Sequence, residues 1–243
     1  MRRTSLLTYW TGKDVEIEVK HLNEGTRSEY LERLRSILEH GIWMNEVNEE
    51  VIGLGKPARI KMQIAMTCFT ELRLSQSQEH NKRYGLMGIV VDREFVLARR
   101  GGPVFYVRSR EDDTIVGNFV QLFQWVREQA QLGTPKAEAV FKNGKVLVTY
   151  LKAMSASSSD DYENLNENEW RIVHTYMCEK AGLIKATGMV RPNYKIPLSP
   201  TDIKMIVLPD SQTRDKVLSD TRIAEWFEKR FPPLLTVTEV SEF

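Results

Sequence analysis

The sequence is poor in almost every residue type that announces a chemistry on its own. Only two of its 243 residues are cysteines, Cys68 and Cys178, too few for a disulfide framework or a Cys-rich metal site. Each stands among apolar neighbours, where a thiol is expected to act as a small buried hydrophobe. The four histidines, His21, His40, His80 and His174, are scattered, and no His-Glu-x-x-His pair is present. There is no glycine-rich phosphate loop and no Gly-x-Gly-x-x-Gly turn after a strand. Charge of one sign is lacking too. Lys+Arg 34 against Asp+Glu 33 leaves +1, which gives no bulk nucleic-acid footprint. The short basic runs Lys82-Arg83, Arg99-Arg100 and Arg108 to Arg110 are read as solvated charge. Long apolar runs are missing as well, and no window approaches the ~18 apolar residues that a membrane helix needs. The expectation is a cytoplasmic protein with no membrane partner.

What is present is an ordinary globular composition, 42% hydrophobic and 28% charged with Gly 14 and Pro 9, which argues against disorder as the main state. The length suits one domain over residues 1–243. Leu6 to Thr11, Ile64 to Phe69, Gly88 to Val91, Val104 to Val107, Glu169 to Val173 and Ile203 to Leu208 read as strands, and Val15 to Val19 alternates with period two. Thr26 and Glu29 form a capping-box pattern before the apolar face Tyr30, Leu31, Leu34, Ile37 and Leu38, with Gly41 at the C-cap position. Asp92 is placed to cap a short helix running to Arg100, and helical spacing recurs from Thr114 to Gln131. Asn143-Gly144 predicts a hairpin turn between strands Ala137–Phe141 and Val146–Tyr150. Asp220 to Phe231 predicts a terminal helix stopped by Pro232-Pro233. Ser155 to Asn168 is polar and without periodicity, and is expected to be a mobile loop. Irregularly interspersed helices predict an α+β fold: a mixed, mainly antiparallel sheet core with packed helices.

Three segments stand out chemically. Thr8-Tyr9-Trp10-Thr11-Gly12 ends a strand with aromatic and hydroxyl groups. Cys68-Phe69-Thr70-Glu71-Leu72-Arg73-Leu74-Ser75 leads through His80 to Tyr84-Gly85-Leu86-Met87-Gly88-Ile89. Glu167-Asn168-Glu169-Trp170-Arg171 brings two carboxylates into a strand directly after the polar loop. Each has a bland alternative. Glu169 can end a strand in water, Tyr9 and Trp10 can be core aromatics, His80 a hydrogen-bonded histidine, and Arg171 a structural ion-pair partner.

The second segment, continued by Gly102-Pro103-Val104-Phe105-Tyr106-Val107, resembles the AbiGi-like family of abortive-infection, phage-defence proteins, as do Glu169-Trp170-Arg171 and the late strand Ile203 to Pro209. The order of segments also looks like a divergent ADP-ribosyltransferase, although Tyr9 stands where that pattern has histidine. This second resemblance implies a toxin or effector that uses NAD to modify a protein or nucleic-acid target. Glu169 would be the catalytic carboxylate, stabilising oxocarbenium-like charge as nicotinamide leaves. Tyr9, Trp10, Thr11 and Phe69 would line the nicotinamide pocket, and His80, Tyr84 and Arg171 would orient the pyrophosphate or the acceptor. The alternative is a catalytically inert antitoxin or regulator that binds a cognate toxin. A nuclease is disfavoured, since no carboxylates cluster at metal spacing.

Overall fold

The computed structural model describes residues 6–51, 60–71, 76, 78–107, 114–154, 164–188 and 193–241. Its centre is a ten-stranded sheet. The first three strands, β1 (Leu6–Thr11), β2 (Ile42–Val51) and β3 (Ile60–Thr70), are joined by β4 (Met87–Asp92), β5 (Gly102–Pro103) and β8 (Glu169–Val173). The remainder are β9 (Lys185–Thr187), β10 (Asn193–Ile196), β11 (Ile203–Leu208) and β12 (Leu234–Thr236). The order is β12-β11-β4-β1-β3-β2-β10-β9, with β8 on β3 and β5 on β8. The β11–β12 pair is parallel and the other described pairings in this sheet are antiparallel. The fold is therefore α+β with a mixed, mostly antiparallel sheet and packed helices.

Helix α1 (Glu24–His40) covers one sheet face. Asn23 caps it by accepting from Thr26 N at 3.1 Å, while Thr26 Oγ1 accepts from Asn23 N at 2.9 Å. Thr26 is thus the third residue of the capping box, and the helix starts earlier than the sequence pattern suggested. Tyr30, Leu34, Ile37 and Leu38 are buried against Leu7, Phe69 and Ile89, each apolar side chain contributing about 1.5–3 kcal/mol. Gly41 ends the helix at φ 93, and a Cβ there would lie 2.3 Å from Ile196 O. Glycine allows both that backbone and the approach of β10. Asp92 caps α3 (Arg93–Ala98) by accepting from Phe95 N at 2.9 Å, as its position predicted.

Several segments differ from the sequence expectation. Val15 to Val19 is not a strand, because its backbone is satisfied locally. The Glu16 carboxylate accepts from Ile17 N and Glu18 N, and Val15 N donates to Gly12 O. The Asn143-Gly144 hairpin is absent: residues 135–148 form α5 (Pro135–Val148), antiparallel to α4 (Thr114–Gln131). Phe141 and Val148 recur at helical spacing and meet Phe123 of α4, the Phe123 and Phe141 rings lying 5.2 Å apart. Gly144 permits this contact, since a Cβ there would come within 3.0 Å of the Phe123 ring. Its glycine serves close helix packing rather than a turn.

Val104 to Val107 does not join the large sheet as a unit. Val104 N donates to Glu169 O, but β6 (Phe105–Val107) then pairs in parallel with β7 (Leu151–Ala153) in a separate two-stranded sheet. The helix expected over Asp220 to Phe231 starts where the sequence placed it but is shorter: Asp220, which ends α7 (Ser211–Ser219), caps α8 (Thr221–Trp226), and Glu228 and Lys229 at positive φ close it. After Pro232-Pro233 the chain continues as β12 and α9 (Val237–Ser241). The expected loop Ser155 to Asn168 lies outside the described residues as far as 163, and Asn164–Glu167 is a 3-10 turn. Among the described residues no helix is long and apolar enough to cross a membrane.

Candidate functional site

Strands β1 and β4 are paired along all of β1, but β1 and β3 share a single pair, Thr8 opposite Thr70. Their diverging ends border a cleft of about 1110 Å³. One wall is the end of β1 and the turn after it, together with Arg33 of α1; the other is Met66 to Cys68 of β3 and Trp43 of β2. Arg33 holds the first wall by donating to Thr11 Oγ1 at 3.2 Å and to Asp14 Oδ2 at 2.5 Å.

The floor is a buried polar cluster built by strand alternation on β8. Trp170 and Ile172 face the apolar core, so Glu169 and Arg171 point into the cleft. Arg171 Nε donates to Glu169 Oε1 at 2.6 Å, and its other nitrogens reach Glu169 Oε2 and Thr149 O. Lys152 of β7 donates to Glu169 Oε2 at 2.7 Å and to Glu167 Oε2 at 2.5 Å. Tyr84, at the end of α2 (Gln78–Tyr84), donates to Glu167 Oε1 at 2.9 Å. Asn168 between the two carboxylates has φ 43, a left-handed backbone that asparagine tolerates, and both carboxylates reach the same ammonium. Tyr106 accepts from Glu169 N at 2.8 Å, and His80 Nε2 lies 2.7 Å from Thr70 Oγ1.

Burial alone would raise the Glu169 pKa, but the charge and hydrogen bonds of Arg171 and the charge of Lys152 outweigh it and hold it at about 2. Burial would lower the Lys152 pKa, and Glu169 and Glu167 raise it instead. Glu169 and Lys152 are thus both charged throughout the neutral range. His80 behaves oppositely: burial, helped by Lys152, lowers its pKa from 6.5 to about 4. Glu169 opposes that shift, and Arg83 adds to it. Between about pH 6.5 and 4 the unfolded chain binds a proton at this histidine that the folded chain refuses, so stability falls as pH drops through that window. Glu169 adds a second loss at lower pH, from about 4.5 towards 2. In urea titrations His80→Gln should show a shallower loss of stability than wild type between pH 6.5 and 4. An unchanged slope would assign the acid sensitivity elsewhere.

Six of the residues singled out in the sequence meet at this cleft: Tyr9, Thr11, His80, Tyr84, Glu169 and Arg171. Trp10 also borders it, but its ring packs with Val90, Val207 and Val240 on the opposite side of β1 from Tyr9. Phe69 is fully buried in the main core and backs the wall, its ring 6.1 Å from that of Tyr9. Cys68 is not the buried hydrophobe expected of it. Its thiol is open to the cleft, where the surrounding protein and the neighbouring Glu169 raise its pKa well above the ordinary value, so it is a poor nucleophile. Sequence reasoning missed Lys152, Arg33 and Tyr106. Each comes from a segment distant in sequence, and Lys152 follows the helix that was taken for a β-hairpin.

The family model described as "Putative abortive phage resistance protein AbiGi, antitoxin" matches residues 42–209. That span contains the whole polar floor from Thr70 to Arg171 and leaves out β1 and α1. No curated protein and no solved structure matches the chain.

Proposed function

This chain belongs to the AbiGi family of abortive phage resistance proteins, and we propose that it is the antitoxin of an abortive-infection pair, restraining a cognate toxin by direct contact. The observation that carries this reading is the state of Glu169. A carboxylate that stabilises a developing oxocarbenium charge must present its negative field to the reacting carbon. Here both oxygens are bound by cations, Oε1 by Arg171 and Oε2 by Lys152, which suits a structural ion cluster. The charges around the cleft favour the anions by one. Lys13, Arg33, Lys152 and Arg171 stand against Asp14, Glu29, Glu32, Glu167 and Glu169, leaving no positive excess to draw in a pyrophosphate. Co-expression with the toxin of its own system should restore growth, and the two proteins should purify as a complex. Rescue without any complex would overturn direct contact.

A second reading is favoured by one observation, the convergence of those six residues on a cleft as large as ordinary cofactor sites, roughly 300–1,000 Å³. Under it NAD occupies the cleft, Tyr9 and Thr11 contact the nicotinamide end, His80 and Tyr84 orient the rest, and Glu169 gains a free oxygen only when Lys152 or Arg171 turns to the pyrophosphate. Nicotinamide release separates the two readings. The antitoxin reading expects none. Release by wild type that disappears in Glu169→Gln, compared at temperatures where both are folded, would establish the transferase instead.

A further inference from the structure

The α4–α5 pair stands apart from the rest of the fold. Among the described residues its helices pack chiefly on each other, through the small cluster of Phe123 and Val148 with Phe119 and Phe141. Yet the pair carries a second set of apolar side chains that this cluster does not use. Leu122 and Trp125 on α4, Leu132 just past its end with its N–H still donating to Glu128 O, and Val140 and Leu147 on α5 are all exposed, Leu132 at 76%. Positions 122, 125 and 132 recur at helical spacing and lie about 110° around α4 from the side that faces α5; 140 and 147 lie about 80° around α5 from its inner side. In antiparallel helices those two rotations bring both stripes to the same face of the hairpin.

That face is depleted in charge. Asn118, Gln129 and Asn143 share it, with Lys136 at its tip, while exposed Arg127, Glu128 and Glu138 turn away from it. Interface cores have this composition, and a surface that meets its own copy needs it most near the two-fold axis, where a charge would face its like. The face also carries a knob and a socket. Leu132 projects at the tip of the hairpin. At its base a mostly apolar groove of about 400 Å³ lies between Pro103, Phe105, Phe119, Leu147 and Leu151, with Arg100 also lining it. The 13 positions from Phe119 to Leu132 set the two about 20 Å apart.

We propose that this face binds a second copy of the chain: two hairpins pack antiparallel about a two-fold axis, and Leu132 of each enters the groove at the base of the other. The face runs the 18 residues of α4 and is roughly 27 by 20 Å, so two copies bury about 1,100 Å² before the grooves are filled. Filling them brings the total into the roughly 1,200–2,000 Å² of specific interfaces. The inference is independent of what the cleft binds.

Sedimentation equilibrium of the full chain tests it. Wild type should be a dimer. Leu132→Asp and Trp125→Asp should each be monomeric with unchanged helix content, since both side chains are exposed. Glu128→Lys, on the charged side, should remain dimeric. In a Cys68→Ser background, Leu132→Cys combined with Phe105→Cys should cross-link two chains on oxidation, and Leu132→Cys alone should not. A monomeric wild type, or a dimer that survives both aspartates, overturns the proposal; cross-linking by Leu132→Cys alone overturns the antiparallel arrangement.

Discussion

Arg171→Met should lower folding stability by about 3–5 kcal/mol, the usual cost of removing one partner from a buried ion pair. The side chain is nearly inaccessible, fills the floor of the cleft, and donates to Glu169 and to Thr149 O. Methionine keeps much of the volume but leaves two carboxylates, Glu167 and Glu169, facing Lys152 alone. Glu169→Gln should destabilise as well, by removing the anion that both cations share. The double variant Arg171→Met with Glu169→Gln restores the balance between Lys152 and Glu167, and should recover part of the loss in a double-mutant cycle. Urea midpoints of the four proteins measure this. Single losses below about 1 kcal/mol, the range of exposed pairs, would mean that water in the cleft screens the cluster. The result bears on function, because any activity change in Glu169→Gln is interpretable only beside its stability.

The second large effect is expected at Gly85, the residue that docks α2 against β1. Its φ is +107, and a Cβ there would lie 2.4–2.5 Å from Thr11 O, Gly12 C and Lys13 N, all backbone atoms. Alanine at such a backbone conformation costs about 1–3 kcal/mol, and pushing two packed segments apart costs about 1–3 kcal/mol more. Gly85→Ala should therefore lose several kcal/mol. Because Tyr84 precedes it and His80 lies one turn earlier, the same substitution should shift both side chains on the cleft floor. The check is a chemical-shift map: large changes at Thr11, Thr70, His80 and Glu167, with α4 and α5 unchanged. A variant of wild-type stability would show that α2 is held by other contacts.

Local signals in the sequence carried the strands that run through the core, because their patterns are set by burial within each strand. Leu6 to Thr11, Gly88 to Val91, Glu169 to Val173 and Ile203 to Leu208 all pair in the large sheet. The Asp92 cap and the Gly41 stop were legible for the same reason, since a cap satisfies its own helix end. The turn signals were less secure. Asn143-Gly144 fits a hairpin as well as a helix that needs a small residue, and only the Phe123 ring across from it decides between them. Val15 to Val19 alternates like a strand, but Glu16 and Gly12 capture its backbone first.

The candidate site divides along the same line. Glu169 and Arg171 are two apart on a strand, so the sequence by itself determined that they share a face. It could not determine whether that face met water, core or another charge. The tertiary structure decided this by bringing Lys152 from β7 and Tyr84 from α2 to the carboxylates at positions 167 and 169, and by letting β1 part from β3 after one pair. Periodicity is a property of a few neighbouring residues and is written in their order. A charge-compensated cluster depends on Coulomb interactions and hydrogen bonds over a few ångströms, the latter between residues up to 83 positions apart, and only the folded chain fixes those distances.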